Sequence, residues 1–241
     1  MIRAAVASLI GLAALASCQS SVDTTQRPML TVFAAASLQP PFDKIVRQAH
    51  VDARFNYAGT QTLTAQLTQG AQADVFASAD SGHMKTVQDA GLLTGPAKIF
   101  AHNRLEIAVG KVNPKGIHTL ADLSRPGLVV VLADPSVPAG KYAQQALAKA
   151  GVAVKPASLE LEVTAVLNKV ALGEADAGIV YVSDVLTSGK VDGIPIPDSQ
   201  NVVADYSIAG VSHRRAAEEF IAFVLSSQGQ AILAGAGFEK V

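Results

Sequence analysis

The sequence has little cysteine, little net charge and few histidines, and each of these shortages excludes a class of protein. A single cysteine among 241 residues rules out a disulfide framework and a cysteine-rich metal site. The five histidines are scattered and no two lie four residues apart, so a histidine-built metal site is not expected. A net charge of −1, from 19 basic and 20 acidic side chains, argues against a nucleic-acid partner, which would require a basic face.

What the chain does contain is apolar. Hydrophobic residues make up 49% of it, which excludes an intrinsically disordered protein. The length fits one to two domains of roughly 100–200 residues each. Such domains bury a core large enough to fold without a disulfide or a structural metal.

Residues 1–17 differ from the rest of the chain. Arg3 is their only charged residue, and Ala4 to Ala16 is apolar apart from one serine and one glycine. This stretch is shorter than the roughly 20 residues of a membrane-spanning helix and is typical of a secretory signal peptide. It ends in Leu15-Ala16-Ser17-Cys18, which resembles a bacterial lipobox, where cleavage before the cysteine precedes lipidation of its thiol. The alternative is a plain signal peptide with an incidental cysteine.

Residues 18–28 would then form a tether. Gln19 to Pro28 consists mainly of Ser, Thr, Gln and Asp, a composition typical of a flexible linker. Two or more acyl chains on Cys18 would hold the protein stably on a membrane. We therefore expect an extracytoplasmic protein, anchored by lipid to the periplasmic side of the cell membrane.

From Met29 onward, short β-rich runs alternate with segments of helical spacing, which predicts an α/β fold with parallel sheets. Periodicity alone leaves open whether there is one sheet or two. The predicted strands are Met29–Ala35, Val51–Tyr57, Leu105–Val109, Leu128–Leu132 and Ile179–Val182. The predicted helices are Thr62–Gln69, Met84–Ala90, Tyr142–Ala150, Thr164–Leu172, Ala216–Leu225 and Gln228–Ala234.

No catalytic constellation stands out, since the chain has neither a Gly-x-Ser-x-Gly nor a His-Glu-x-x-His motif. Instead, small or hydroxyl residues recur where an apolar run meets a helix start. These junctions are Ala34–Leu38, Ala58–Thr62, Pro138–Gly140 and Glu162–Thr164. Helix N-termini expose unpaired N–H groups that bind anions. The alternative is that Ser37 and Thr60 are ordinary N-caps of their own helices.

Several motifs in order resemble the molybdate-binding proteins of bacterial ABC importers, in their lipoprotein form, over nearly all of Met29 to Val241. The motifs are Val32-Phe33-Ala34-Ala35-Ala36-Ser37-Leu38, Ala73-Asp74-Val75-Phe76-Ala77-Ser78-Ala79-Asp80, Ala133-Asp134-Pro135-Ser136-Val137-Pro138-Ala139-Gly140-Lys141-Tyr142-Ala143, Gly178-Ile179-Val180-Tyr181-Val182-Ser183-Asp184 and Gln228-Gly229-Gln230-Ala231-Ile232-Leu233. The resemblance implies a type II periplasmic-binding-protein fold. In it, two α/β lobes, each a mainly parallel sheet flanked by helices, enclose a ligand cleft. Lobe one would comprise residues 29–102 and 207–241, and lobe two residues 103–206.

The same resemblance implies the ligand residues. The family's hydroxyl donors fall on Ser37, on Thr60, where the family usually has serine, and on Tyr181; its backbone donors fall on Ala139 and Val163. For Tyr181 the alternative is a core tyrosine whose hydroxyl is satisfied by the backbone. A further departure is the pair Pro40-Pro41, although proline is tolerated in a first helical turn.

The implied function is capture of molybdate, and also of tungstate, for delivery to an ABC importer permease with its cytoplasmic ATPase. A monomer is expected, with no enzymatic activity, no cofactor and no metal other than the molybdenum of the bound anion. The alternatives are a binding protein for sulfate or another tetrahedral oxyanion, a secreted enzyme acting on a phosphorylated or sulfated small molecule, and the ligand-sensing half of a regulator. The signal peptide and the absence of a DNA-binding segment count against the regulator.

The predicted lipid anchor is tested by replacing the Cys18 thiol, to which the lipid would be attached. If Cys18 is lipidated, the mature protein partitions with membranes, and Cys18→Ser leaves it soluble or unprocessed, since serine has no thiol to acylate. Fractionation of expressing cells checks this. Wild-type protein recovered wholly in the soluble fraction, cleaved at another position, would contradict the lipobox.

Overall fold

The computed structural model describes residues 29–241, which form an α/β chain. The predicted signal peptide 1–17, Cys18 and the tether 18–28 lie outside the described residues. The strands are β1 (Leu30–Ala35), β2 (Ala53–Ala58), β3 (Val75–Ser78), β4 (Lys98–Val109), β5 (Val130–Ala133), β6 (Ser158–Glu160), β7 (Ala177–Tyr181), β8 (Asp192–Pro195) and β9 (Val203–Gly210). The helices are α1 (Gln39–Ala49), α2 (Thr60–Thr68), α3 (Ser81–Asp89), α4 (Pro138–Ala150), α5 (Val163–Ala171), α6 (Val182–Ser188), α7 (Arg215–Leu225) and α8 (Ser227–Gly235). Within residues 29–241, no helix is both long and apolar enough to cross a membrane.

The strands form one mixed sheet in the order β2-β1-β3-β9-β4-β7-β5-β6, with β8 paired to β4. The α/β class is confirmed. Pairing is parallel among β1, β2 and β3 and among β5, β6 and β7, as predicted for each lobe. The strands β4, β8 and β9 pair antiparallel, which the sequence did not indicate. We call β1–β3 with β9 the first half-sheet, and β5–β8 the second.

The long strand β4 joins the two half-sheets by changing partner along its length. It pairs with β9 up to Arg104 and with β7 from Leu105 onward. The fold is therefore two-lobed, as predicted. The predicted lobe boundaries, at 102/103 and 206/207, fall inside β4 and β9 and remain a prediction.

Hydrophobic burial explains why most predicted elements form within a few residues of their expected bounds. Phe42 of α1 lies at the centre of an aromatic cluster, 5.6 Å from the ring centre of Phe220 and 6.0 Å from that of Phe100. All three rings are fully buried, and burying one such side chain stabilises a fold by about 1.5–3 kcal/mol. This cluster fixes α1 and α7 against β4, where it pairs with β9 of the first half-sheet.

Helix α1 also settles the effect of the two prolines. It begins at Gln39, directly after a 3₁₀ turn over Ala36–Leu38, so Pro40 and Pro41 occupy its first turn. The N–H groups of a first turn have no intrahelical acceptor, and proline therefore costs no hydrogen bond there. The helix therefore forms with both prolines in its first turn.

Gly140 lets α4 start directly against the end of β5. A Cβ atom at this position would lie 2.1 Å from the Asp134 carbonyl oxygen and 2.4 Å from that of Ala133, far inside van der Waals contact. Only glycine therefore allows this approach. As a result, the backbone of the first turn of α4 lies at the carboxyl end of the second half-sheet.

Asp184, in the first turn of α6, is a buried carboxylate that accepts a hydrogen bond from the Tyr181 N–H at 3.0 Å. Burial raises the pKa of Asp184 to about 7, although the hydrogen bond from Tyr181 opposes the shift. An unfolded aspartate has a pKa near 3.9. Between roughly pH 4 and 7 the folded protein therefore keeps a proton that the unfolded chain releases.

This linkage predicts how stability changes with pH. The raised pKa of Asp184 contributes stability that is fully present below about pH 4 and is lost as the pH rises to about 7. The loss amounts to a few kcal/mol, at about 1.4 kcal/mol per pKa unit. Asp184→Asn, which can still accept from Tyr181, should flatten the decline. Chemical denaturation of the ligand-free protein at pH 5 and pH 8 measures the change in the free energy of unfolding. Asp89→Asn, at an exposed position, is the control. Equal pH slopes in wild type and Asp184→Asn would contradict the assignment.

Candidate functional site

One cavity is lined by all five residues that the sequence predicts as ligands. The space between its lining atoms is about 220 Å³, part of it open to solvent, and it lies between the carboxyl ends of the two half-sheets. Its lining residues are small, hydroxyl-bearing or apolar: Ala35, Ala36, Ser37, Ala58, Gly59, Thr60, Ala79, Val137, Pro138, Ala139, Val163 and Tyr181. The structure therefore brings the predicted residues together, whereas their role as ligands remains a prediction.

The first half-sheet supplies two of the five. Ser37 lies in the 3₁₀ turn that follows β1, and Thr60 is the first residue of α2, directly after β2. Because β1 and β2 are parallel neighbours, their carboxyl ends lie side by side at the same edge. The Ser37 and Thr60 side chains are both buried, 4% and 1% exposed.

The second half-sheet supplies the other three. Ala139 lies in the first turn of α4, beyond β5, and Val163 begins α5, shortly after β6. Tyr181 is the last residue of β7. Strands β5, β6 and β7 are parallel, so these residues also meet at one edge. Ligands of open α/β sheets bind at this carboxyl edge.

Three helices point uncapped N-termini toward the cavity. Among the described residues, no side chain caps α2, α4 or α5, whose N-cap residues are Gly59, Val137 and Glu162. The first N–H groups of a helix have no intrahelical acceptor and carry the positive end of the helix dipole. The cavity is therefore lined by backbone donors without an acceptor of their own.

Ser37 and Thr60 are not the caps that the alternative reading required. The Ser37 Oγ lies 2.8 Å from the Tyr206 hydroxyl, and the N-cap of α1 is Leu38. Thr60 follows the N-cap Gly59, and its Oγ1 accepts the N–H of Ala79 at 3.2 Å. The N-cap interpretation is therefore wrong for both, and the Thr60 hydroxyl keeps its own proton for another acceptor.

The Tyr181 hydroxyl has no hydrogen-bond partner in the part of the chain that the structure describes. Its side chain is 1% exposed, yet its hydroxyl oxygen has no hydrogen bond within residues 29–241. The structure thus does not support a core tyrosine satisfied by the backbone. Burial raises the pKa of Tyr181 well above its ordinary value, so the hydroxyl stays protonated and is a neutral donor.

Charged side chains stay outside the cavity, and none of its described lining residues carries a formal charge. The nearby cation, Lys141, has its Nζ 3.7 Å from Asp80 Oδ2. Burial alone would raise the pKa of Asp80, but hydrogen bonds from the His83 ring and N–H, with the charges of His83 and Lys141, hold it below its ordinary value. This ion pair joins α4 to the start of α3.

A second contact also bridges the two half-sheets at the cavity. The Gln61 side chain of α2 donates to the Leu161 carbonyl, ahead of α5, at 2.7 Å. Gly59 lies beside it, and a Cβ atom there would lie 2.3 Å from the same carbonyl oxygen. Gln61 and Gly59 therefore set the closest approach of α2 to α5.

Sequence reasoning missed Tyr206, Asp80 and Gln61. Asp80 belongs to the motif Ala73–Asp80, which the resemblance included without giving the residue a role. Tyr206 lies on β9, a strand that the periodicity did not indicate, and all residues of β9 from Tyr206 to Ala209 are buried. Within the described part of the chain, no cluster of three or more His, Cys, Asp or Glu could hold a metal ion.

Comparison with known proteins identifies the family of the chain. Residues 30–239 match the family model of the bacterial extracellular solute-binding proteins. The molybdate-binding protein ModA of Mycobacterium tuberculosis is 46% identical over 220 residues, which is 88% of this chain and 84% of that protein. The similarity that the sequence motifs predicted is thereby confirmed.

Solved structures show the same fold at lower identity. The periplasmic molybdate-binding protein of Azotobacter vinelandii superposes with a TM-score of 0.74 at 19% identity, covering 87% of this chain and 98% of that one. The sulfate-binding protein SubI of Mycobacterium tuberculosis gives 0.77 at 20% identity, covering 88% and 87%. The chain is a member of the bacterial extracellular solute-binding protein family.

Proposed function

We propose that this protein captures molybdate, and also tungstate, outside the cytoplasmic membrane and delivers it to an ABC importer. The observation that carries the proposal is the cavity itself, where hydroxyl and backbone N–H donors converge without any charged lining residue. A buried oxyanion is very costly unless it is hydrogen-bonded, and aligned neutral dipoles can replace its hydration shell. The similarity to ModA of Mycobacterium tuberculosis supports molybdate as the anion.

Each of the five residues has a role in this proposal. The hydroxyls of Ser37, Thr60 and Tyr181 donate to the anion, and so do the backbone N–H groups of Ala139 and Val163. Molybdate is a dianion at neutral pH and offers only acceptors. A cavity of donors therefore suits it without any proton transfer, and the orphan hydroxyl of Tyr181 gains a partner.

The anion takes donors from both half-sheets, so its binding favours the form in which the two lobes are closed. We propose lobe one as residues 29–102 with 207–241, and lobe two as 103–206. In this account the closed form docks on the permease, whose cytoplasmic ATPase supplies the energy. The protein catalyses no reaction and acts as a monomer, held at the membrane by lipidated Cys18.

Sulfate is the principal rival ligand, because sulfate-binding proteins such as SubI share the fold. Sulfate is also a dianion near neutral pH, so discrimination has to come from size. A smaller anion cannot reach all five donors at once, and each buried donor left unmatched costs roughly 1–3 kcal/mol.

Calorimetric titration of one protein sample with molybdate, tungstate, sulfate and phosphate separates these ligands. If sulfate leaves one or two donors unmatched, molybdate should bind tenfold to a thousandfold more tightly than sulfate. Comparable affinities for molybdate and sulfate in the same buffer would refute the molybdate assignment. Such a result would not contradict the proposal that the cavity binds an oxyanion.

The donor roles predict the effect of removing single hydroxyls. Ser37→Ala and Tyr181→Phe should each weaken molybdate binding roughly tenfold to a hundredfold, because hydrogen bonds to charged groups contribute about 1.5–3 kcal/mol. Without ligand, Tyr181→Phe should keep thermal stability near wild type, because its hydroxyl has no partner within residues 29–241. Ser37→Ala should lower stability by about 1–3 kcal/mol, because it leaves the buried Tyr206 hydroxyl without its partner, but the protein should still fold. The control is Ser124→Ala, an exposed serine that donates to the Ala121 carbonyl away from the cavity. Unchanged molybdate affinity in both cavity variants would indicate that the Ser37 and Tyr181 hydroxyls do not bind the anion.

A further inference from the structure

Tyr206 lies directly behind the cavity without lining it. It belongs to β9, pairs in register with Ala101 of β4, and is fully buried. Its hydroxyl lies 2.8 Å from the Ser37 Oγ, a hydrogen bond between residues 169 positions apart in the chain. Tyr206 therefore contacts Ser37, a proposed ligand residue, from the side that faces away from the cavity.

The chemistry of the anion fixes the direction of this hydrogen bond. A serine hydroxyl has one proton to donate and two lone pairs that accept. An oxyanion only accepts, so Ser37 must give its proton to the ligand. The Ser37 oxygen then accepts from Tyr206. Burial raises the pKa of Tyr206 well above its ordinary value, which keeps the phenol protonated for this donation.

The ring of Tyr206 is held on several sides. It meets Phe238 edge-on at 5.1 Å between ring centres and Phe100 at 6.3 Å. It also packs at 71° against Tyr181, with the ring centres 5.7 Å apart. Tyr206 therefore contacts a proposed hydroxyl donor from each half-sheet, Ser37 through its hydroxyl and Tyr181 through its ring.

We propose that Tyr206 is a positioning residue that donates to Ser37 and so directs the Ser37 proton into the cavity. The inference rests on the proposed function and extends it to a residue outside the cavity lining. Because hydrogen bonds in a chain polarise one another, the donation also strengthens the bond from Ser37 to the anion.

The test is a double-mutant cycle on molybdate affinity. Tyr206→Phe should weaken binding about three- to tenfold, as expected for loss of one neutral hydrogen bond. In a Ser37→Ala background the same change should alter affinity less than about twofold, because the residue through which Tyr206 acts is gone. The matched control is Tyr57→Phe, which removes a hydroxyl bonded to Asp43 Oδ1 at 2.9 Å, outside the cavity. It should leave affinity unchanged.

Several results would overturn the inference. Wild-type affinity in Tyr206→Phe would do so, as would an equal loss with and without Ser37, which would indicate a structural role. If Tyr206→Phe does not fold, 3-fluorotyrosine at position 206 replaces it. The fluorine makes the phenol a stronger donor, so unchanged affinity would again contradict the inference. No molybdate binding by the wild type would overturn the proposed function and this inference together, whereas the other results overturn the inference alone.

Discussion

Desolvation of an anion is the constraint on which the arrangement of this protein depends. A dianion taken out of water needs a hydrogen-bond donor for each of its oxygens. In this chain the hydrogen-bond donors are held at fixed positions around the cavity. They stand at the carboxyl ends of parallel strands, where α2, α4 and α5 begin without side-chain caps. Ser, Thr or Asp caps would satisfy those N–H groups internally and stabilise each helix by about 1 kcal/mol. The chain leaves them open at the cavity.

The same constraint explains where the charges lie. Lys141 lies in the first turn of α4, two residues after Ala139, but its ammonium pairs with the buried Asp80, which in turn caps α3 through the His83 N–H. A free lysine in the cavity would attract any anion and weaken discrimination by size. Neutral donors at fixed positions make selectivity depend on how many of them one ligand can satisfy at once. Rigidity of the donors is therefore as important as their number.

Much of this could be predicted from the sequence. Apolar runs ending in small or hydroxyl residues located the strand ends at Ser37 and Thr60, since local patterning carries that information. The antiparallel strand β9 and the contacts of Tyr206 could not be predicted, because they depend on pairing between positions that are distant in the chain, such as Ala101 with Tyr206 and Ser37 with Tyr206. The raised pKa of Asp184 arises from burial in the folded core and has no local signature. The choice of molybdate came from resemblance, because the residues alone indicate only an anion.

The most direct measurement is a crystal structure of the protein with bound molybdate, located by the anomalous scattering of molybdenum. The account predicts one molybdenum peak in the cavity between the two half-sheets. Its oxygens should lie about 2.7–3.2 Å from the hydroxyls of Ser37, Thr60 and Tyr181 and from the N–H groups of Ala139 and Val163. An anion bound elsewhere, or held by lysine or arginine side chains while the Tyr181 hydroxyl stays unpaired, would contradict it.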